Sequence, residues 1–245
     1  MTDLLSSVLD AHGGLARWRA FDKVEAIFMF GGQLVQTKVS PNLPATPTTG
    51  PTSRVEMSTR EQSGTRTDTT GSGQRVRYSP DRVAIENLDG ELLSERRMPR
   101  EAFAGHDLTT PWDPLHLGYF AGYTQWIYLN APFIFTLPGV ATEEVDPVRK
   151  GAERWRALRV TLPPDIASHT AVQIFYYNED FLQRRHDYTL DVAGGCNVAH
   201  FTENFRDASG LRLPFRRRAY LCDSDYGVLS DRLLIWIDYS QIHFR

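Results

Sequence analysis

One helical stretch, TPWDPLHLGYFAGYTQWIYLNAP, stands between two long series of strand-like segments, and that placement constrains the fold more than any other feature. Residues 99–106 and 114–137 lack strand alternation. Leu115, Tyr119, Tyr123, Trp126 and Ile127 instead recur about one helical turn apart. The spacing predicts a covering helix that ends or kinks at Pro132, because proline has no N–H to donate and clashes with the preceding turn. Before it, KVEAIFMF, RVEMST, QRVRYS, RVAIEN and LLSERRM read as strands; after it, so do RWRALRVTL, VQIFYY, FLQRRHDYTLDV, NVAHFTENF, LPFRRRAYL and LLIWIDY. Their links are short and rich in Gly, Asp, Asn and Pro, which suits sequential antiparallel pairing. The expected class is mainly β (α+β): a strongly curved antiparallel sheet covered by a few helices.

The chain opens on a further helical pattern. Over residues 3–20, Leu4, Leu5, Val8, Leu9, Leu15 and Trp18 fall at helical spacing, Asp3 is placed to cap the start, and Gly13 and Gly14 interrupt the run. The pattern predicts a helix to Ala11, a break, and a second short turn. A Pro/Thr/Gly-rich stretch at 41–53 cannot continue a ladder and is expected to be a long, mobile loop. At 245 residues the chain suits one domain spanning 1–245.

Composition narrows the function. Lys and Arg number 27 against 30 Asp and Glu, a net charge of −3, so nothing in the overall charge attracts nucleic acid or an anionic membrane. No run of about 18 apolar residues predicts a membrane span. The opening MTDLLSSVLDAHGG lacks a basic region followed by an apolar core. Cys196 and Cys222 have no CxxC spacing, so neither a disulfide framework nor a thiolate metal site is expected. A cytoplasmic location is the expectation. No phosphate loop, GxGxxG, HExxH or GxSxG occurs, which removes nucleotide binding and the common hydrolase designs.

The segments AHGGLARWRAFDKV and GLRLPFRRRAY, the latter followed by a last strand, resemble the lipoprotein-carrier half-barrel (LolA/LolB-like) superfamily. The whole chain is similar to a set of bacterial proteins with no assigned reaction that share this opening, the TPWDPLHLGYFAGYTQW helix, and the RRHDY and AHF segments. The resemblance implies an open half-barrel wrapped around a helix. By analogy it also implies a site for an acyl chain or other apolar ligand.

Polar residues are concentrated in strand-like segments between 169 and 218. Strict alternation along FLQRRHDYTLDV puts Leu182, Arg184, His186, Tyr188 and Leu190 on one face and Arg185, Asp187 and Thr189 on the other. In LPFRRRAYL the apolar row Leu213, Phe215, Ala219, Leu221 contains Arg217, which is therefore the expected inward arginine. An inward arginine needs an anionic partner, so Arg184, His186, Tyr188 and Arg217 are candidates to bind a carboxylate, phosphate or enolate. The register around Gly194 and Gly195 stays open. A two-residue turn sets His200 opposite Thr189 and diagonal to Asp187, a base with its orienting carboxylate. A loop of three or five residues sets His200 beside His186 and Tyr188 instead. His169, His186, His200 and Asp187 carry donors suited to zinc or iron, but their spacing matches no established ligand pattern, and neither metal nor cofactor is expected.

The first functional expectation is a carrier or sensor that grips an apolar, in one variant acidic, small molecule. Its ligand would lie between the 114–130 helix, through Tyr119, Tyr123 and Trp126, and the 155–221 strands, which bear Arg184 and Tyr188, with His169 nearby. The second is a cofactor-independent isomerase, cyclase or hydrolase using His186, His200, Asp187 and Arg217. The third is a protein-interaction module acting through an exposed sheet edge or the mobile 41–53 loop, and such edges also permit a homodimer.

Overall fold

A computed structural model describes residues 2–47, 50–68, 73–151 and 153–245. Helix α1 (Asp3–Ala11) buries Leu4, Leu5, Val8 and Leu9. Its cap is Thr2, whose hydroxyl accepts from the Leu5 N–H at 3.2 Å, and the expected cap Asp3 lies in the first turn instead. After the glycine break comes α2 (Leu15–Arg19).

Thirteen strands form one antiparallel sheet among the described residues. They are β1 (Lys23–Gly31), β2 (Thr52–Ser58), β3 (Gly64–Asp68), β4 (Gln74–Ser79), β5 (Arg82–Asn87), β6 (Leu92–Arg97), β7 (Ala141–Lys150), β8 (Glu153–Thr161), β9 (Val172–Tyr177), β10 (Gln183–Leu190), β11 (Cys196–Ala208), β12 (Leu211–Cys222) and β13 (Val228–Phe244). Their spatial order is β6-β5-β4-β3-β2-β1-β13-β12-β11-β10-β9-β8-β7. The β1 and β13 pairing joins two meanders, while β6 and β7, adjacent in sequence, form the two free edges of a sheet that does not close. Helix α3 (Gln33–Lys38) is a short piece after β1. The chain between the two edges crosses as the 3-10 turn Pro99–Phe103, helix α4 (Pro114–Asn130) and a second 3-10 turn, Phe133–Thr136.

Helix α4 is built to be swallowed by the sheet. Asp113 accepts from the His116 N–H at 2.9 Å and His116 Nδ1 accepts from the Asp113 N–H, a reciprocal cap, and Pro114 occupies the first helical position, where no N–H is needed. Burial runs around the whole helix, as an all-round apolar sequence requires. Glycines permit the close approach to β4: a Cβ on Gly122 would sit 2.2 Å from Tyr78 Cγ, and one on Gly118 2.8 Å from Val76 Cγ1. Ala131 ends the helix and Pro132 begins the next turn, as the missing proline donor demands.

Three elements were not legible as such. β3, α3 and the edge strand β7 have no clean periodicity in sequence, and the stretch expected as loop over 41–53 already enters β2 at Thr52. Of that loop, residues 48 and 49 lie outside the described residues.

Candidate functional site

The inner faces of β9 to β12 and the C-terminal half of α4 enclose a buried cluster of polar aromatic residues. Its register is fixed by the β10 and β11 hairpin, which pairs Leu190 with Cys196 across five residues and so sets His186 opposite His200. The two-residue alternative does not form, because Asp191–Ala193 take a 3-10 turn and Gly194 follows at φ 82°. Asp187 therefore opposes Ala199 and points to the other face, where Arg185 holds it at 2.5 Å. The histidine and carboxylate pair expected under the other register is absent from this geometry.

A bulge corrects a second expectation. Pairing with β9 shifts between Gln183 and Arg185, so Arg184 is the extra residue. Gln183, not Arg184, shares the buried row with His186, Tyr188 and Leu190, and Arg184 is only half-buried. Nothing in a single sequence marks a bulge of this kind, so strict alternation named the wrong residue.

The remaining inward residues converge. His169 reaches the cluster from the segment joining β8 to β9. It stacks on Tyr188 at 3.9 Å between ring centres and hydrogen-bonds through its two ring nitrogens to the hydroxyls of Tyr128 (2.8 Å) and Tyr123 (3.3 Å). One nitrogen donates and the other accepts in the neutral ring, so the two tyrosines play opposite parts. Burial, with Arg100 nearby, lowers the His169 pKa to about 3. His186 stacks on Phe175 and donates from Nε2 to Gln173 Oε1 at 2.6 Å, and Gln173 is held in that orientation by its own bond to the Thr170 carbonyl. Burial first, then the neighbouring His200, His169 and Arg217, hold His186 well below the usual histidine range. Burial and Arg217 do the same for His200. At neutral pH all three are uncharged.

Arg217 is the cationic member. It donates to the Tyr128 carbonyl at 2.7 Å, lies 4.5 Å over the Tyr128 ring, and meets the Tyr239 hydroxyl. The Tyr239 hydroxyl donates in turn to Gln125 Oε1 at 2.7 Å.

Beside this cluster, two small cavities adjoin between α4 and the sheet. One of about 40 Å³ is lined by Phe28, Phe30, Val35, Arg66 and Gln125 among others; one of about 20 Å³ by Leu34, Tyr128, Tyr188 and Ala219. Phe120, Thr124, Ile235 and Ile237 wall both. Residues of α3 roof them, and α3 is pinned by Lys38, which donates to the carbonyls of Asp107 and Thr110 and lies over the Trp112 ring. The helix face turned to these cavities carries Phe120, Thr124 and Tyr128. Of the aromatic residues expected to bind a ligand, Tyr119 and Trp126 instead border outer grooves of about 390 and 510 Å³, and Tyr123 is fully enclosed against His169. A periodicity tells that a helix has an apolar stripe; on a helix buried all round it does not tell which side faces a space.

The outer grooves flank a strap, residues 162–171, which Gln62 clasps by donating to the Ala167 carbonyl (2.7 Å) and accepting from its N–H (2.8 Å). Arg100 adds bonds to the carbonyls of Ser168 and His169.

The architecture defined here is an open half-barrel around a central helix, the arrangement called LolA-like. Solved structures share it over nearly the whole chain. A DUF1329 family protein from Desulfovibrio piger superposes with a TM-score of 0.55 at 9% identity, over 99% of this chain and 94% of that one. A LolA superfamily protein from Nitrosomonas europaea gives 0.53 at 13% identity, over 98% and 92%. A domain from Vibrio parahaemolyticus named for outer membrane lipoprotein sorting gives 0.54 at 10% identity, over 96% and 93%. At these identities the likeness is one of fold. No family model matches the chain, and no curated protein does. No helix among the described residues is long and apolar enough to cross a membrane.

Proposed function

We propose that the protein holds an apolar small molecule, as a carrier or sensor, between α4 and the strands β1, β12 and β13. The observation that carries this reading is the pair of adjoining apolar cavities with shared walls beneath α3. Small-molecule sites occupy roughly 300–1,000 Å³, so the ligand enters only when the roof moves. Helix α3 is the element suited to that: it has six residues and is tied down by a few hydrogen bonds rather than by a ladder.

The acid/base alternative has weaker support. Its histidines are held neutral, and Asp187 faces away from them. The free edges β6 and β7 support a homodimer or a protein partner by strand addition. The free thiols Cys196 and Cys222 support a reducing compartment, and on that ground the cytoplasm is the proposed location.

The test is titration with 1-dodecanol, followed by tryptophan fluorescence, in the wild type and in Ala121→Met, which places a longer side chain in the larger cavity. Because Ala121 lines that cavity, saturable binding weakened about tenfold by the substitution, on the order of 1.4 kcal/mol, is expected. Absence of saturable binding, or affinity indifferent to Ala121→Met, would sink the assignment.

A further inference from the structure

Arg217 is 3% exposed, and among the described residues no Asp or Glu pairs with it. A buried cation without a counter-charge is costly, because neutral dipoles replace only part of its hydration. Its Nε, moreover, has no hydrogen-bond partner. Three other buried polar atoms on the same inner strands share that condition: Gln183 Nε2, Tyr177 Oη and His200 Nδ1.

The register places these atoms on adjacent strands. Gln183 pairs with Tyr177 across β10 and β9, Thr202 pairs with Arg217 across β11 and β12, and the Thr202 hydroxyl donates to the Gln183 carbonyl at 2.6 Å. Tyr177, Gln183, Thr202 and Arg217 thus form one cross-strand row, with His186 and His200 in the next. The unsatisfied groups on this row are donors: a guanidinium N–H, an amide NH₂ and a phenol. Buried donors left without acceptors are destabilising by about 1–3 kcal/mol each. A negatively charged acceptor with two oxygens is the kind of group that such donors take.

The apolar cavities end beside this row. Ala219, which lines one, opposes His200 in the ladder, and Ile237, which lines both, opposes Arg217. Tyr128 belongs to both: it lines the smaller cavity, and its ring packs under Arg217. Arg66 also borders the larger of the two cavities, but its charge is already met by Asp68 at 2.7 Å.

We propose that Arg217, Gln183 and Tyr177 receive the carboxylate of an unbranched alkyl acid, whose chain lies between α4 and β13 and whose head passes the Tyr128 ring. The inference rests on the apolar-ligand reading above and names the chemical class of that ligand. Once α3 lifts, the narrow apolar space beneath it admits one alkyl chain, and a planar guanidinium matches a carboxylate in two hydrogen bonds.

The experiment compares dodecanoate, 1-dodecanol and acetate by calorimetry on the full chain, in wild type and in Arg217→Met, Arg66→Met and Gln183→Leu, with near-ultraviolet circular dichroism to check folding. Dodecanoate is expected to bind wild type at least about tenfold tighter than dodecanol, as a charge-assisted pair implies. Arg217→Met lowers dodecanoate affinity to that of dodecanol in the same variant, so the preference is lost, and Arg66→Met retains it. Gln183→Leu narrows it, and decides the matter if Arg217→Met does not fold. Equal affinity for acid and alcohol in wild type overturns the carboxylate site while leaving the apolar-ligand reading intact, as does a preference that survives Arg217→Met. Acetate binding as tightly as dodecanoate overturns the alkyl part. If neither long-chain probe binds, the apolar-ligand reading fails and this inference with it.

Discussion

His186 and His200 face each other across β10 and β11 with ring centres 6.0 Å apart, and the carboxylate next to His186 in sequence, Asp187, is on the opposite side of the sheet. The pair is therefore embedded in phenol, imidazole and guanidinium groups, and burial keeps both rings neutral.

That arrangement predicts loss of stability in mild acid. The folded pKa values of His12 (about 4) and His169 (about 3) lie below the ordinary 6.5, as do those of His186 and His200. Below pH 6.5 the unfolded chain binds more protons than the folded one, so stability is complete above that pH and falls as pH drops toward the folded values. Each histidine contributes at most about 1.4 kcal/mol per pH unit. Carboxylates held low by arginine, such as Glu25 and Glu86, act only below their ordinary 4.5. Urea midpoints at pH 7.5, 6.0 and 5.0 should thus decline steeply over the last two points; a flat profile would mean the rings protonate freely in the folded state.

The contact of α4 with β4 yields a second expectation. Gly122→Ala puts a methyl group 2.2 Å from Tyr78 Cγ, near the ring's root, where the side chain cannot swing aside cheaply. Overpacking costs about 1–3 kcal/mol, against about 1 kcal/mol that alanine gains over glycine in a helix. A lowered thermal midpoint is expected; a raised one would show that the helix and β4 are less tightly apposed.

The cap of α4 separates charge from geometry. Asp113 accepts the His116 N–H and also pairs with Arg96 at 2.6 Å. Asp113→Ala loses both and should cost about 1–2 kcal/mol, while Asp113→Asn keeps the cap and should cost less than half of that. Denaturant unfolding of the two variants checks this, and equal losses would assign the effect to the ion pair.

How far the sequence discloses this structure depends on what each element is made of. α4 and most strands declare themselves because their apolar residues recur at helical or strand spacing. β7 does not: ATEEVDPVRK is acidic and contains Pro147, which an edge strand tolerates and a central one does not. GTRTD and QLVQTK are too short and polar to show a period, yet they become β3 and α3. Arg217 was legible as the one arginine in an apolar row. Gln173, Gln183 and Tyr177 were not, since their parts depend on a bulge and on pairing between strands. The hairpin parity turned on whether Asp191–Ala193 belonged to the strand or the turn, which local sequence leaves undecided.

The Gln62 clasp supplies the last prediction. Its side chain makes two hydrogen bonds to Ala167, the mid-point of the strap that carries His169 into the cluster. Gln62→Ala removes both and leaves the Ala167 N–H and carbonyl to find water. At roughly 0.5–1.5 kcal/mol per bond, the strap should open on the order of ten- to a hundredfold more often. Hydrogen exchange read peptide by peptide should show faster labelling over residues 162–171 with little change in β11 or β12. Because Arg100 still holds the Ser168 and His169 carbonyls, His169 itself should remain seated, and Arg100→Ala added to Gln62→Ala should release it. Unchanged exchange in the double variant would mean that the stacking of His169 on Tyr188, not the clasp, keeps the strap closed.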